Sequence, residues 1–523
     1  MKSPIPFKLF IILSTALVGF ALPAGAHNPT WTNGIACIIY SHCTNCHNPK
    51  GIAPFSLMTY EDVYANRYSV AASVKAKSMP PYPATQEKMK YAHANTLSDH
   101  EIDEIADWVN NFAPLGDASK IPAPPNYSSQ YQITAPDFTA QIPTYTVTSN
   151  NDVYRMFVLP VNNTTTRTIQ SIEVFPGNRE IVHHALVFYD TSTIPLNLDK
   201  NDPLPGYSAF GGTGSSSSKL LTGYTPGQGA FSFAPGFGIK LLPNSYIILQ
   251  MHYPGGVSGQ RDSTQVRIKY GASNLRDVTT IAALNHNTSL TNGPLMIPAN
   301  TVKTFYSQVN NSINRTLTGI MPHMHLVGTS IKAWCVTPTK DTIHLIDIPK
   351  WDFHWQYFYQ FQKPLFIPAG SVLYGEATYD NTSNNPNNPN NPPKDVKRGE
   401  GTEDEMMLIY MNLSTYVAGD ENIVIDTASH FTHDASCFQS TGILVPSKEE
   451  SWQYYLDESG NLLHIKAEEP CTELRIIAPN GREVMRTSGT DSPVNLSSLA
   501  PGVYILRMQT AAGRERYGKF IRP

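Results

Sequence analysis

The sequence predicts a multidomain chain: a small all-α domain first, then a long region of antiparallel β-strands, then a small β-sandwich. Length is one reason, since 523 residues favour several domains. Composition is another, because 41 prolines and 34 glycines suit many short strands joined by turns better than long helices. The third is motif placement, with Cys43-Thr44-Asn45-Cys46-His47 ahead of a capped amphipathic helix near the start and hairpin signals near the end.

The elements follow in chain order. Lys2 and Lys8, an apolar run from about Leu9 to Leu22 and the small-residue pattern Ala24-Gly25-Ala26 read as a secretory signal peptide over residues 1–26. No later segment approaches the roughly 20 apolar residues of a membrane span, so no transmembrane segment is expected. Losing residues 1–26 removes two lysines and moves the formal net charge from -4 to -6. With no basic patch, nucleic acid is not an expected partner. Six cysteines are too few to frame the fold with disulfides.

Residues 27–118 are expected to form the helical domain. Two thioethers and an adjacent axial histidine are what covalent haem attachment needs, and Cys43, Cys46 and His47 supply them within one helical turn. Downstream, Ser98-Asp99-His100-Glu101 is a capping box, followed by Ile102, Ile105, Val109 and Phe112 on one helical face. Between these landmarks Met79 precedes two prolines that hold the chain in an extended loop, where a thioether is free to reach iron. Met58 and Met89 compete for that role, and Cys37 has none that the residues define. The stretch from "CHNPKGIAPFSLMTYEDV" to "MPPYPA" resembles small bacterial c-type cytochrome domains, which implies that His47 and Met79 are the axial pair.

A linker of mixed Pro, Ser and Asn from about Ala113 to Pro136 leads into the strand-rich region. In "REIVHHALVFYD" the pair His183-His184 sits in the middle of a buried strand, and buried imidazoles need partners. Strand neighbours point to opposite faces, so both rings reach one metal through a bulge or through different ring nitrogens, with His252 of "IILQMHYPGG" as the third ligand. His323 and His325 of "GIMPHMHLVG" are two apart and share a face on a strand. Met406 of "GEGTEDEMMLIYMNL" adds a thioether, and two imidazoles with a thioether favour copper over zinc.

The segments "VHHALVFYD", "LQMHYPGG", "MPHMHLVG", "WDFHWQYFY", "YDNTSNNPNNPNNPP" and "GEGTEDEM" come in an order and spacing that resembles the copper type II, ascorbate-dependent monooxygenases over about residues 140–440. That family includes peptidylglycine hydroxylating and dopamine beta monooxygenases. The resemblance implies two consecutive antiparallel jelly-roll sandwiches, residues 135–285 and 286–445, each holding one copper ion across an open cleft. It implies that His183, His184 and His252 hold the electron-supplying copper, and that His323, His325 and Met406 hold the copper where the co-substrate dioxygen binds. Where the peptide-amidating branch carries a carboxylate-gripping arginine, this chain has Met321, so a peptide C-terminus is not the expected substrate. Tyr410 matches a pocket tyrosine of that branch, while Leu408 replaces its polar neighbour and makes the pocket more apolar.

Six other histidines, His286, His344, His354, His430, His433 and His464, read as ordinary surface or core imidazoles. His27, the mature N-terminus after cleavage, has the chemistry to chelate copper but precedes the wrong fold for it. Whether Cys335 and Cys437 pair stays open, and Cys471 has no assigned role. The run "GGTGSSSS" at 211–218 is a flexible loop or a lid.

In residues 452–523, Asn480-Gly481 is a hairpin turn and Pro501-Gly502 precedes a strand through Val503, Ile505 and Leu506. "GVYILRM" followed by "GKFIRP" looks like the C-terminal sorting domain of the type IX secretion system. That resemblance implies passage through the periplasm to the cell surface or beyond, with the secretion machinery as a partner. The expected activity is hydroxylation of an organic small molecule, with an external electron donor and the haem taking the place of ascorbate. The rival reading is a surface haem and copper protein for electron transfer or metal capture.

Overall fold

The computed structural model describes residues 29–49, 51–127, 131–209 and 212–425, and in the tail 452–457, 461–467, 471–478, 482–488, 493–510 and 515–522. The expected signal peptide, His27, His430, His433, Cys437 and the Asn480-Gly481 turn lie outside the described residues.

Three of the four helices among those residues form the N-terminal unit: α1 (Ile35–His42), α2 (Tyr60–Lys75) and α3 (Asp99–Asn110). Trp31, Ile35, Ile39, Val63, Ile105 and Trp108 make its core. Thr59 caps α2 by accepting from the Asp62 N–H, and Ser98 and Glu101 close both arms of the capping box on α3. The buried face of α3 is Ile102, Ile105, Trp108 and Val109. Phe112, expected on that face, is 89% exposed. The helix stops at Asn110, and positive φ at Phe112 (65°) and Ala113 (49°) turns Phe112 outward while the Ala113 N–H returns to the Trp108 carbonyl.

An internal ion pair braces this unit. His42 donates from Nδ1 to Asn95 Oδ1 (2.8 Å) and faces Glu101 Oε1 from Nε2 (3.3 Å), so both ring nitrogens meet acceptors and the ring carries a proton. Burial alone would lower His42, but its bonds to Glu101 and Asn95 raise it; the same His42 bond leads the effects that hold Glu101 at about 2. Glu101's share of stability is present above its ordinary 4.5 and fades as pH falls through the folded value. The share from His42 is complete below its ordinary 6.5 and fades as pH rises through its raised value. Glu101→Gln keeps a capping acceptor but loses the charge, so it should weaken α3 by about 1 kcal/mol near pH 6. Amide hydrogen exchange of α3 checks this, and the difference from wild type should shrink as the pH is raised.

Two β-sandwiches follow. In the first, strands Phe138–Gln141, Gln265–Tyr270, Arg167–Phe175, Phe237–Leu241 and Arg276–Asp277 are ordered side by side, with Phe231–Ser232 also paired to Arg167–Phe175. They share a core with the sheet Val153–Pro160, Tyr246–Tyr253, His184–Asp190, Lys219–Tyr224. Seven of the eight residues of Tyr246–Tyr253 are buried, which is why that segment reads as a continuous apolar run with His252 inside it. Arg155 ties down the loop beside this sheet, pairing bidentately with Asp202 (2.6 and 3.0 Å) and donating to the Pro205, Leu204 and Gly206 carbonyls.

The second sandwich packs Thr279–Asn285, Leu408–Thr415, Arg315–His323 and Tyr359–Ile367 against Val302–Asn311, Ser371–Asp380, Gly328–Val336 and Thr342–Ile348. Burial alternates strictly along Ser371–Asp380, as a strand with one wet face requires. Hydrogen bonding extends this sandwich back to Thr279, which pairs with Leu413. Cys335 is buried within it as a free thiol.

The helical unit is fastened to the second sandwich by residues 82–92. Tyr91 bridges to Phe361, the Ala92 N–H donates to the Gln360 carbonyl (2.8 Å), the Gln362 N–H to Lys90 (3.0 Å), and Tyr91 Oη to Leu345 (2.9 Å). Tyr82 and Tyr91 both pack on Tyr359.

In the tail, a three-stranded and a four-stranded sheet enclose Leu474, Ile476, Leu506 and Met508. Along Gly502–Thr510, Tyr504, Leu506 and Met508 are buried while Ile505 faces out. Among the described residues no helix is long and apolar enough to cross a membrane.

Candidate metal centres and their cleft

His183, His184 and His252 converge. The pair does not sit in mid-strand as expected: the strand begins at His184, and His183 precedes it with its N–H on the His252 carbonyl (3.0 Å). His184 lies directly opposite His252 in the sheet. Neither a bulge nor different ring nitrogens are needed, because all three rings present Nδ1, at separations of 3.1, 3.1 and 3.3 Å. Three neutral imidazoles cannot satisfy one another there, since each offers one N–H at most and the facing lone pairs repel; a cation among them satisfies all three. Burial, then the neighbouring His252, lowers His183 to about 4 and also lowers His184, so both rings are neutral at neutral pH.

The outer contacts of this set come from residues that sequence reading missed. Asp152 Oδ2 stands 3.5 Å from His252 Nε2 and also accepts from Thr402 Oγ1 of the second sandwich (3.2 Å), while its Oδ1 takes the Gly255 N–H (2.9 Å). Tyr154 stacks flat on His252, with centroids 4.3 Å apart and an angle of 3°. Such partners fix ring orientation and tautomer.

The second set is assembled differently. The strand ends at His323, so His325 lies in the irregular segment beyond it rather than on a shared strand face. Their rings still meet, with centroids 5.1 Å apart and nearly perpendicular. His323 Nδ1 bonds Gln356 Oε1 (2.5 Å) and His325 Nδ1 donates to the Asp404 carbonyl (3.0 Å), leaving Nε2 of each for a metal. Burial, then His325, lowers His323 to about 3.

Met406 is buried, lines the same cleft as these histidines and is tied by its N–H to Glu405. That carboxylate is fully buried and accepts the N–H groups of His325 (2.9 Å), Met406 (3.0 Å), Val327 (2.9 Å) and Gly328 (3.1 Å). Burial raises Glu405 towards its neutral form, and the four N–H donors facing both its oxygens oppose this and favour the carboxylate. The run of acids before Met406 was visible in the sequence, but nothing local marked Glu405 as the inward one.

A cleft of about 780 Å³ joins the sets, lined by His184, His323, His325 and Met406 and by the apolar Leu186, Met321 and Leu408 with Tyr410. Residues 212–216 and Ser218 form part of its wall, and Ser218 Oγ is anchored on Asp190 (2.6 Å). Phe353 also lines this cleft. The Phe353 ring stands 5.7 Å from His183 and 6.1 Å from His325, centroid to centroid. His354, expected as an ordinary imidazole, lies 5.2 Å from His183 by the same measure, and His286 lines the cleft and accepts the Met407 N–H (3.1 Å).

The Cys-x-x-Cys-His turn caps α1. His47 Nδ1 bonds the Phe55 carbonyl (3.0 Å), which leaves Nε2 free as an axial ligand requires, and burial keeps the ring neutral. Nearby, the buried Trp355 Nε1–H has no acceptor among the described residues. Both features fit a haem on Cys43 and Cys46. Met79 is 46% exposed, so core packing does not account for it.

Residues 294–440 match the family model described as the copper type II ascorbate-dependent monooxygenase, C-terminal domain. The matched span contains His323, His325 and Met406 and supports copper-dependent hydroxylase-type chemistry for the second sandwich. No curated protein matches the chain. Among solved structures, the major capsid protein P2 from bacteriophage PM2 is 9% identical, with 54% of this chain and 99% of that one covered and a TM-score of 0.22. Peptide-N(4)-(N-acetyl-beta-D-glucosaminyl) asparagine amidase is 12% identical over 54% of this chain and 98% of its own, with a TM-score of 0.21. Likeness at this level carries no argument.

Proposed function

We propose that the chain is an exported copper-dependent monooxygenase that hydroxylates a small organic substrate with dioxygen and receives electrons through its own haem c. The observation that carries this reading is the cleft: His184 of the all-histidine set lines the same space as His323, His325 and Met406, with Leu186, Met321 and Leu408 beside polar residues such as Gln250 and Asn285, and that space is large enough for a substrate. Bound copper would supply single electrons at the first set and an oxygen-binding position at the second, and haem would relay electrons from an external donor.

The chain's own residues then have separable tasks. His183, His184 and His252 hold one ion through Nδ1, with Asp152 and Tyr154 fixing His252. His323, His325 and Met406 hold the other, aligned by Gln356, Asp404 and Glu405. Cys43, Cys46, His47 and Met79 would hold the haem. Leu186, Met321 and Leu408 exclude water from the substrate side, and no arginine or lysine lines the cleft to grip a carboxylate. The leader at 1–26 and the tail sandwich are assigned to export and to type IX sorting towards the cell surface.

The ratio of copper to haem in the mature protein, after copper loading and removal of loose metal, tests the reading. Two ions per haem are expected. Haem without retained copper would end it, and copper retained without substrate-coupled oxygen uptake, in wild type and Met406→His alike, would favour an electron-transfer or capture protein.

A further inference from the structure

Residues 352–357 reach from the haem-attachment turn to the first histidine set. Gly227, with φ of 85°, lies against Cys46: a methyl group built on it would stand 2.7 Å from Cys46 Sγ and 4.0 Å from Cη2 and Cζ3 of Trp355. Asn45 Nδ2 donates to the Gly227 carbonyl (3.0 Å) and fastens the turn there. Trp355 thus shares one backbone contact with the thioether-forming sulfur. Its chain neighbour His354 is 5.2 Å from His183, about the spacing of His183 from His184 (5.3 Å) and from His252 (4.9 Å). Asp352 holds the segment's shape, accepting from His354 N (2.9 Å) and Nδ1 (3.2 Å) while its carbonyl takes the Trp355 N–H (3.1 Å). On the far side Phe353 contacts both His183 and His325.

We propose that this segment, with Trp355 and His354 at its centre, is the electron bridge between the haem-bearing turn and the copper set of His183, His184 and His252. The inference rests on the haem-and-copper reading above. One electron crosses per event, oxidising ferrous haem and reducing a cupric ion, with no bond made or broken, and an external one-electron reductant resets the haem. At Gly227 a Cβ would press on Cys46 Sγ and the positive φ disfavours any side chain, so glycine lets the Cys46 turn approach this backbone closely.

The test uses full-length protein carrying haem and cupric ions. Its haem is photoreduced by a flavin without oxygen, and haem reoxidation is followed by absorbance with copper reduction followed by electron paramagnetic resonance. Trp355→Leu should slow reoxidation about tenfold at unchanged haem potential and metal content, while Trp355→Phe should stay near wild type. Equal rates in wild type and Trp355→Leu would overturn the bridge, as would slowing in Tyr224→Leu alone, which would route electrons along the strand Lys219–Tyr224 instead. If Trp355→Leu loses haem or copper, His354→Leu takes its place with the same expectation and the same overturning result. Wild-type haem that never reoxidises would overturn the underlying relay reading, a failure distinct from that of the bridge.

Discussion

His184→Ala is expected to release one of two copper ions per chain and to leave the haem unreoxidised when reduced without oxygen. Among the described residues, its sheet carries no histidine besides His184 and His252. His184 faces His252 across one ladder rung and His183 enters from the preceding turn, so losing His184 leaves two ring nitrogens where three converge. The affinity loss should exceed the roughly 10- to 100-fold typical of losing an outer partner, because a ligand itself is removed. Metal analysis together with anaerobic haem spectra reads both effects. A variant that still holds two ions would show that the converging Nδ1 atoms do not bind copper.

Glu405→Gln is the second large effect expected. Both carboxylate oxygens accept backbone N–H groups, four in all, from the segment carrying His325 and from Met406. Glutamine keeps one acceptor oxygen and points an NH2 group at donors, so unpaired buried N–H groups and a donor clash follow. The stability loss should be about 3 kcal/mol or more, with copper lost from the second set and retained at the first. Denaturant unfolding and copper stoichiometry check this together. A folded variant with both ions in place would mean that His325 and Met406 do not depend on the carboxylate for alignment.

Local chemistry made the helical unit and the convergence of the histidines legible. The capping box predicts where α3 starts, and it starts there. Where α3 ends depends on a left-handed turn at Phe112 and Ala113 that no glycine announces. The histidines stood out because imidazoles inside apolar runs demand partners. Their true positions, at strand ends rather than mid-strand, depend on sheet register, which a single strand does not reveal. Asp152, Gln356 and Glu405 were not legible as partners because the contacts that define them cross between strands, loops or whole domains. "WDFHWQYFY" was conspicuous as a motif, yet only folding places Trp355 near Cys46 and His354 near His183.

The fastening at Tyr91 has a consequence for how the chain keeps to itself. Strand Tyr359–Ile367 is the outermost of its sheet, and such a border displays unpaired backbone groups that invite another copy to add on. Lys90 and Ala92 occupy those groups on Gln362 and Gln360, and the Ile425 N–H takes the Gln362 carbonyl. The helical unit therefore also guards the sheet against self-association. Severing it at the linker would leave a raw border beside Tyr359 and Phe361 and turn the loss of the helical unit into an aggregation problem.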